Sequence, residues 1–135
     1  ESLLGVEGME GVVYFVQQRY QEALSRLLNA FTKTSYHPGA RGYLRLLVSV
    51  CYFHQKEYVM AKKWAQDALE AQPYLEDIYL LLAELACQDH NLEQAFAILQ
   101  QAVNLLSSKG KTQQLITLLE NQGLHGERPL FFLRG

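Results

Sequence analysis

The chain has 135 residues, 49% of them hydrophobic and 19% charged, with a formal net charge of −2. That length holds one compact domain rather than two of ordinary size, and the balance is globular rather than disordered. Its basic residues are scattered, which leaves no electrostatic footprint for nucleic acid.

In chain order, positions 1–11 carry Gly5, Gly8 and Gly11. Glycine costs a helix interior roughly 1 kcal/mol against alanine, so this start is expected to be irregular or frayed. From Val12 the chain turns apolar and predicts a short first helix that ends before polar positions 17–19. A second helix is predicted over 20–31, with Tyr20, Ala23, Leu27, Ala30 and Phe31 on one stripe. Positions 32–40 read as a loop, because Pro38 and Gly39 break a helix and proline pushes His37 out of the helical region. Positions 42–54 predict a helix apolar on more than one face, interrupted by Arg45 and Ser49. After a turn at 55–57, positions 58–71 are amphipathic. Tyr58, Ala61, Ala65, Ala68 and Leu69 face inward, Lys62, Lys63, Gln66, Asp67 and Glu70 face water, and Trp64 beside the stripe is expected in the core.

Pro73 ends that unit. Positions 76–88 predict a fifth helix with Tyr79, Leu82, Ala83 and Ala86 as its packing stripe, and Glu76–Asp77 as start-of-helix charge. Asn91 is a good N-cap, with Gln94 completing a capping box for a helix over 92–106. Positions 107–110 stop it, Gly110 being a usual residue just past a helix end. A seventh helix over 112–121, with Leu115, Leu118 and Leu119 along one side, reads as a cap on an apolar flank. Positions 123–135 form a tail with the apolar cluster Leu130, Phe131, Phe132 and Leu133.

Two of these stretches superimpose. Laid on each other, 42–75 and 76–109 place Tyr58 over Leu92, Ala61 over Ala95, Ala65 over Leu99, Ala68 over Ala102 and Leu69 over Val103, at one constant offset. The same signature stands once more upstream, at Tyr20, Ala23, Leu27, Ala30 and Phe31, with slightly longer spacing to its copy at Tyr58–Leu69. A two-helix repeat of that length is the mark of a solenoid. The small residues have a physical reason: interhelical distance is set by the side chains at the contact, and alanine allows close approach.

These residues resemble the tetratricopeptide repeat family. Its pattern has a small residue and then an aromatic in the first helix, a tyrosine, two small residues seven apart in the second helix, and a closing proline. Ser49, Tyr52, Tyr58, Ala61, Ala68 and Pro73 match it in the second repeat. Ala83, Ala86, Leu92, Ala95 and Ala102 match in the third, with Ser107 in place of the proline. Gly11, Tyr14, Tyr20, Ala23 and Ala30 match in the first, whose proline comes late at Pro38. Arg45 departs from the usual tryptophan or leucine, and Glu7 and Glu10 fall at packing positions. The resemblance implies an all-α, right-handed α-solenoid of about seven helices over 12–122, with repeats at about 4–37, 42–75 and 76–109.

It also implies a concave groove lined by the first helices, which holds an extended or helical segment of another protein. Carried onto this sequence, the groove residues are Val12, Phe15 and Val16, then Tyr43, Leu46, Val50, Phe53 and His54, then Asp77, Leu80, Glu84 and Gln88. The first eight are mostly apolar and the last four include two acids, which suits an apolar or amphipathic partner segment carrying some positive charge. Several of them fit equally as core. The basic clamp by which family members hold acidic chaperone tails is absent, since the matching places hold Gly8, Val12, Leu47, Asp77 and Leu81.

Cys51–His54 and Cys87–His90 both read C-x-x-H, the makings of a zinc site. The pairs fall two positions out of phase between repeats, and free cysteine is among the most buried residue types, so Cys51 is expected in the core. No cofactor or metal is therefore expected, and no nucleophile has a legible base. No apolar run approaches the ~20 residues of a bilayer span, and no signal-peptide pattern is legible. Two cysteines make no disulfide framework, so a reducing, cytoplasmic setting is expected. A start at Glu1 rather than methionine suits a piece of a longer protein. The expected function is a non-enzymatic protein-interaction module, a scaffold, adaptor or small chaperone. The rival is a structural segment of a longer or self-associating solenoid, with the tail as a route to homo-oligomers.

Overall fold

A computed structural model describes residues 5–32, 38–106, 112–113 and 116–117. Six helices follow one another: α1 (Gly5–Val16), α2 (Tyr20–Thr32), α3 (Pro38–His54), α4 (Tyr58–Ala71), α5 (Glu76–Gln88) and α6 (Leu92–Leu105). No strand occurs among the described residues. Contacts divide the chain into two compact units, one reaching Pro73 and the other beginning at Tyr74.

Each pair of helices is joined by the same backbone device. At the end of α1, the Arg19 amide donates to the Tyr14 carbonyl and the Gln18 amide to the Phe15 carbonyl, both at 2.9 Å. Glu57 to Tyr52 with Lys56 to Phe53, and Asn91 to Ala86 with His90 to Cys87, repeat the pair at 2.9 Å. This is the Schellman motif, which satisfies carbonyls that a helix end leaves without an intrahelical donor. It needs one left-handed residue, and Gln18, Lys56 and His90 have φ of 62°, 63° and 57°. The next residue then opens the following helix, since the carbonyls of Arg19, Glu57 and Asn91 accept from the amides of Ala23, Ala61 and Ala95. One residue thus closes one helix and starts the next.

In the first unit α1 packs on α2, α2 on α3, α3 on α4, and α1 also touches α3. The second helices bury the small stripe expected of them: Ala23, Leu27 and Ala30 in α2, and Ala61, Ala65 and Ala68 in α4, are all fully buried. Ala23 and Leu27 share one core cluster with Leu44, Leu47, Val48 and Cys51 of α3. Ser49 is buried and donates its hydroxyl to the Ala61 carbonyl at 2.5 Å, which ties α3 to α4. Trp64 is half-buried and meets the edge of Phe31 with ring centroids 5.2 Å apart. Arg45 lies over the other partner of that pair, its guanidinium 4.9 Å from the Phe31 centroid, a cation–π contact between α3 and α2.

In the second unit α5 is buried from Ile78 to Cys87, and α6 brings Ala95, Leu99 and Ala102 against it. Asn91 caps α6 as expected, its side-chain oxygen accepting from the Gln94 amide at 3.1 Å. Residues 112–113 and 116–117 are helical, and buried Ile116 joins the α5–α6 cluster. Glu76 does more than offset the α5 dipole. Its carboxylate accepts from the Thr112 amide at 2.9 Å and the Thr112 hydroxyl at 2.5 Å, which anchors Thr112 to the start of α5. Leu115, Leu118, Leu119 and the tail at 123–135 lie outside the described residues.

Two boundaries differ from expectation. The irregular segment expected through Gly11 is helical from Gly5 onward, with Gly8 and Gly11 both buried. Gly11 permits close approach rather than fraying: a Cβ on it would stand 2.7 Å from Cγ and Cδ2 of Leu27. The loop expected through position 40 gives way to helix at Pro38. Proline suits a first helical position, where its missing N–H is no loss and its φ is already helical.

The two effects of glycine can be separated at one site. Gly11→Ala gains about 1 kcal/mol of helix propensity and loses about 1–3 kcal/mol to overpacking on Leu27. Packing is expected to win, so urea denaturation of Gly11→Ala should show net destabilisation. A stabilised variant would place α1 farther from α2 than described.

Candidate protein-binding surface

The helix ends beside the turns gather aromatic side chains. In the first unit Phe15 meets the edge of Tyr20 at 5.7 Å, and Tyr20 stacks face to face on His54 at 4.1 Å with ring planes 5° apart. Phe53 continues the run, 5.7 Å from His54 and 5.5 Å from Tyr58. Three expected groove residues, Phe15, Phe53 and His54, are therefore joined by Tyr20 and Tyr58, which the sequence placed on second-helix stripes. Burial raises the pKa of the Tyr20 hydroxyl above its ordinary value, with a smaller contribution from Cys51.

The expected groove residues differ in accessibility. Val16 and Tyr43 are exposed, Val12, Phe15 and His54 are half-buried, and Leu46, Val50 and Phe53 are buried. In the second unit Gln88 is exposed and Asp77 half-buried, while Leu80 and Glu84 are buried. The expected groove positions Leu46, Val50 and Phe53 of α3 and Leu80 of α5 thus serve as core. The alternation that would mark one face as free is missing from these two helices, because both are apolar nearly all round. Three exposed apolar residues of α1, Val6, Met9 and Val13, were not among the expected site residues. They lie largely in the stretch read as irregular. The register that sets Ala23 on Ala61, extended backward, aligns them with Leu44, Leu47 and Cys51.

Electrostatics on the first unit is mild. Glu10 pairs with Arg26 at 3.1 Å across α1 and α2, and Arg19 pairs with Glu22 at 2.6 Å while lying over the Tyr14 ring at 4.6 Å. Exposed pairs of this kind contribute about 0–1 kcal/mol. No helix among the described residues is long and apolar enough to cross a membrane.

The cysteines are chemically quiet. Both are free and buried, Cys51 fully so. Burial pushes the Cys51 thiol up to about 12, and burial together with the Glu84 charge raises that of Cys87. The thiolate is the nucleophile and the metal ligand, so neither sulfur is ready for either role at neutral pH. His90 is exposed on its turn, and no group of three or more His, Cys, Asp and Glu side chains suited to a metal occurs among the described residues.

These shifts set a pH dependence. An unfolded thiol ionises near its ordinary value of 9 and the folded Cys51 near 12, so the cysteine contribution to stability is intact below pH 9 and falls as pH rises toward 12. Urea midpoints should therefore decline above pH 9, and Cys51→Ala should flatten that decline while costing stability at pH 7. Rapid labelling of both thiols by a disulfide reagent in the native chain at neutral pH would contradict the burial. No protein-family model matches this sequence, and comparison with curated proteins finds no match.

Proposed function

We propose that the chain is a protein-interaction module without enzymatic activity or bound cofactor, built as a right-handed stack of tetratricopeptide-like hairpins. In this reading the surface of the first helices holds an apolar or amphipathic segment of a partner protein, and the module works as a scaffold, adaptor or small chaperone in the reducing cytoplasm. Support comes from the common turn, which recurs at Gln18, Lys56 and His90 in step with the sequence repeat at Ala23, Ala61 and Ala95. The small stripes buried in α2, α4 and α6 support it as well.

The observation that carries the binding role is the apolar surface left open on first helices: Val16 of α1 is 74% exposed and Tyr43 of α3 is 44% exposed. One exposed position on each of the two helices gives a partner two anchoring points. Tyrosine is a favoured anchor because it supplies large, amphipathic contact area with few rotors. Asp77 and Gln88 add polar positions in the second unit. Two free, buried cysteines suit a reducing compartment.

A carboxylate at Phe53 would enter the core and disturb folding, so that position does not test this reading. The exposed positions do. A Val16→Glu, Tyr43→Glu double variant should keep its helical circular dichroism and its melting temperature within a few degrees. It should also lose the proteins that the unaltered chain retains in a pull-down quantified by mass spectrometry. Retention of the same proteins by the folded double variant would sink the assignment of this surface.

A further inference from the structure

N-terminal to Val16, α1 carries an apolar stripe that faces water. Val6 is 78% exposed, Met9 44% and Val13 51%, a spacing that sets them on one side of the helix. A depression of about 700 Å³ runs along this side, lined by Val6, Met9, Glu10, Val13 and Tyr14 and ending at Arg19. Scattered exposed apolar residues need no explanation, but three in register along one depression form a patch.

The first unit itself shows what such a face accepts. In the repeat register that sets Ala23 on Ala61, Val6, Met9, Glu10 and Val13 fall on Leu44, Leu47, Val48 and Cys51 of α3. Those four are buried in one cluster with Ala23 and Leu27 of α2. On α3, therefore, this register is the seat of the second helix of the preceding hairpin, whose stripe reads Ala23, Leu27, Ala30. α1 keeps three of the four apolar positions and puts Glu10 where α3 has Val48. By contrast, the apolar cluster of α5 and α6 is joined by Ile116.

We infer that the Val6–Met9–Val13 face of α1 docks an amphipathic helix of a partner protein bearing a small–leucine–small stripe at i, i+4 and i+7. The partner helix packs as α2 packs on α3, its small residues letting the backbones come close over Met9 and Val13. A basic side chain on its flank meets Glu10, which is exposed and already pairs with Arg26. Val16 lies one turn farther along this same side of α1, whereas Tyr43 stands on α3, so Tyr43 is the position that separates the two assignments.

The chain has two methionines, Met9 in the patch and Met60 on α4, which makes a two-signal probe. The full chain carrying ¹³C-methyl methionine is titrated with a side-chain-stapled helical peptide of the 20–32 sequence. A staple is needed because free helices of this length are marginal in water. A second peptide has the same composition with the stripe scrambled. The expected result is a saturable shift of the Met9 methyl with the first peptide, no shift of Met60, and no response to the scrambled peptide. Val13→Glu, confirmed as folded by circular dichroism, should abolish the shift, while Tyr43→Glu should not. A static Met9 signal up to millimolar peptide, movement of Met60 in its place, or binding that survives Val13→Glu would overturn the inference. So would a Met9 signal that shifts with chain concentration alone, since a second copy would then occupy the face.

Discussion

Everything in this fold rests on how one helix is stopped and the next begun in a single tight reversal. The backbone must turn back while no carbonyl at the helix end is left buried without a donor. The solution at Gln18, Lys56 and His90 is a single left-handed residue flanked by two backward hydrogen bonds. Such a residue costs about 1–2 kcal/mol when it is not glycine. The cost is met three times, and each time the left-handed residue stands at the same distance ahead of its alanine stripe. Turn and stripe are linked because the residue that closes the turn accepts the first helical hydrogen bond from the leading alanine of the stripe, Ala23, Ala61 or Ala95. The reversal thus fixes which side of the second helix faces the first, and small side chains on that side let the two approach.

That link explains what was legible in the sequence. The boundaries of α4 and α5, the turn at 55–57 and the cap at Asn91 follow from amphipathic period and capping chemistry, and the structure places them where expected. The start of α1 was hidden because local and tertiary effects oppose each other there. Glycine disfavours a helix by propensity, yet Gly11 allows Leu27 a contact that no Cβ would permit. The start of α3 was obscured because Pro38 reads equally as a breaker and as a first helical residue. The Glu76–Thr112 bond joins residues far apart in the chain, and no local pattern signals it.

The surface was less legible than the fold. α3 and α5 are apolar on nearly every side, so periodicity could not separate a face turned to a partner from one turned to the core. Leu46, Val50, Phe53, Leu80 and Glu84 proved to be buried, whereas Val16 and Tyr43 remain open. The α1 patch was recoverable only by aligning a glycine-rich start with α3. In the first unit the Tyr20 and His54 rings stack, and the Cys51 thiol is enclosed and held neutral by burial.

The claim that these turns are equivalent left-handed reversals is tested most directly by glycine at Gln18, Lys56 and His90, one at a time, with stability read by urea denaturation. In a left-handed site glycine removes steric strain of about 1–2 kcal/mol against an entropic cost of about 0.5–1 kcal/mol. Each variant is therefore expected to gain stability, by an amount up to about 1.5 kcal/mol. Inside a continuous helix the same change would lose about 1 kcal/mol, and a loss at any of the three positions would contradict a common turn.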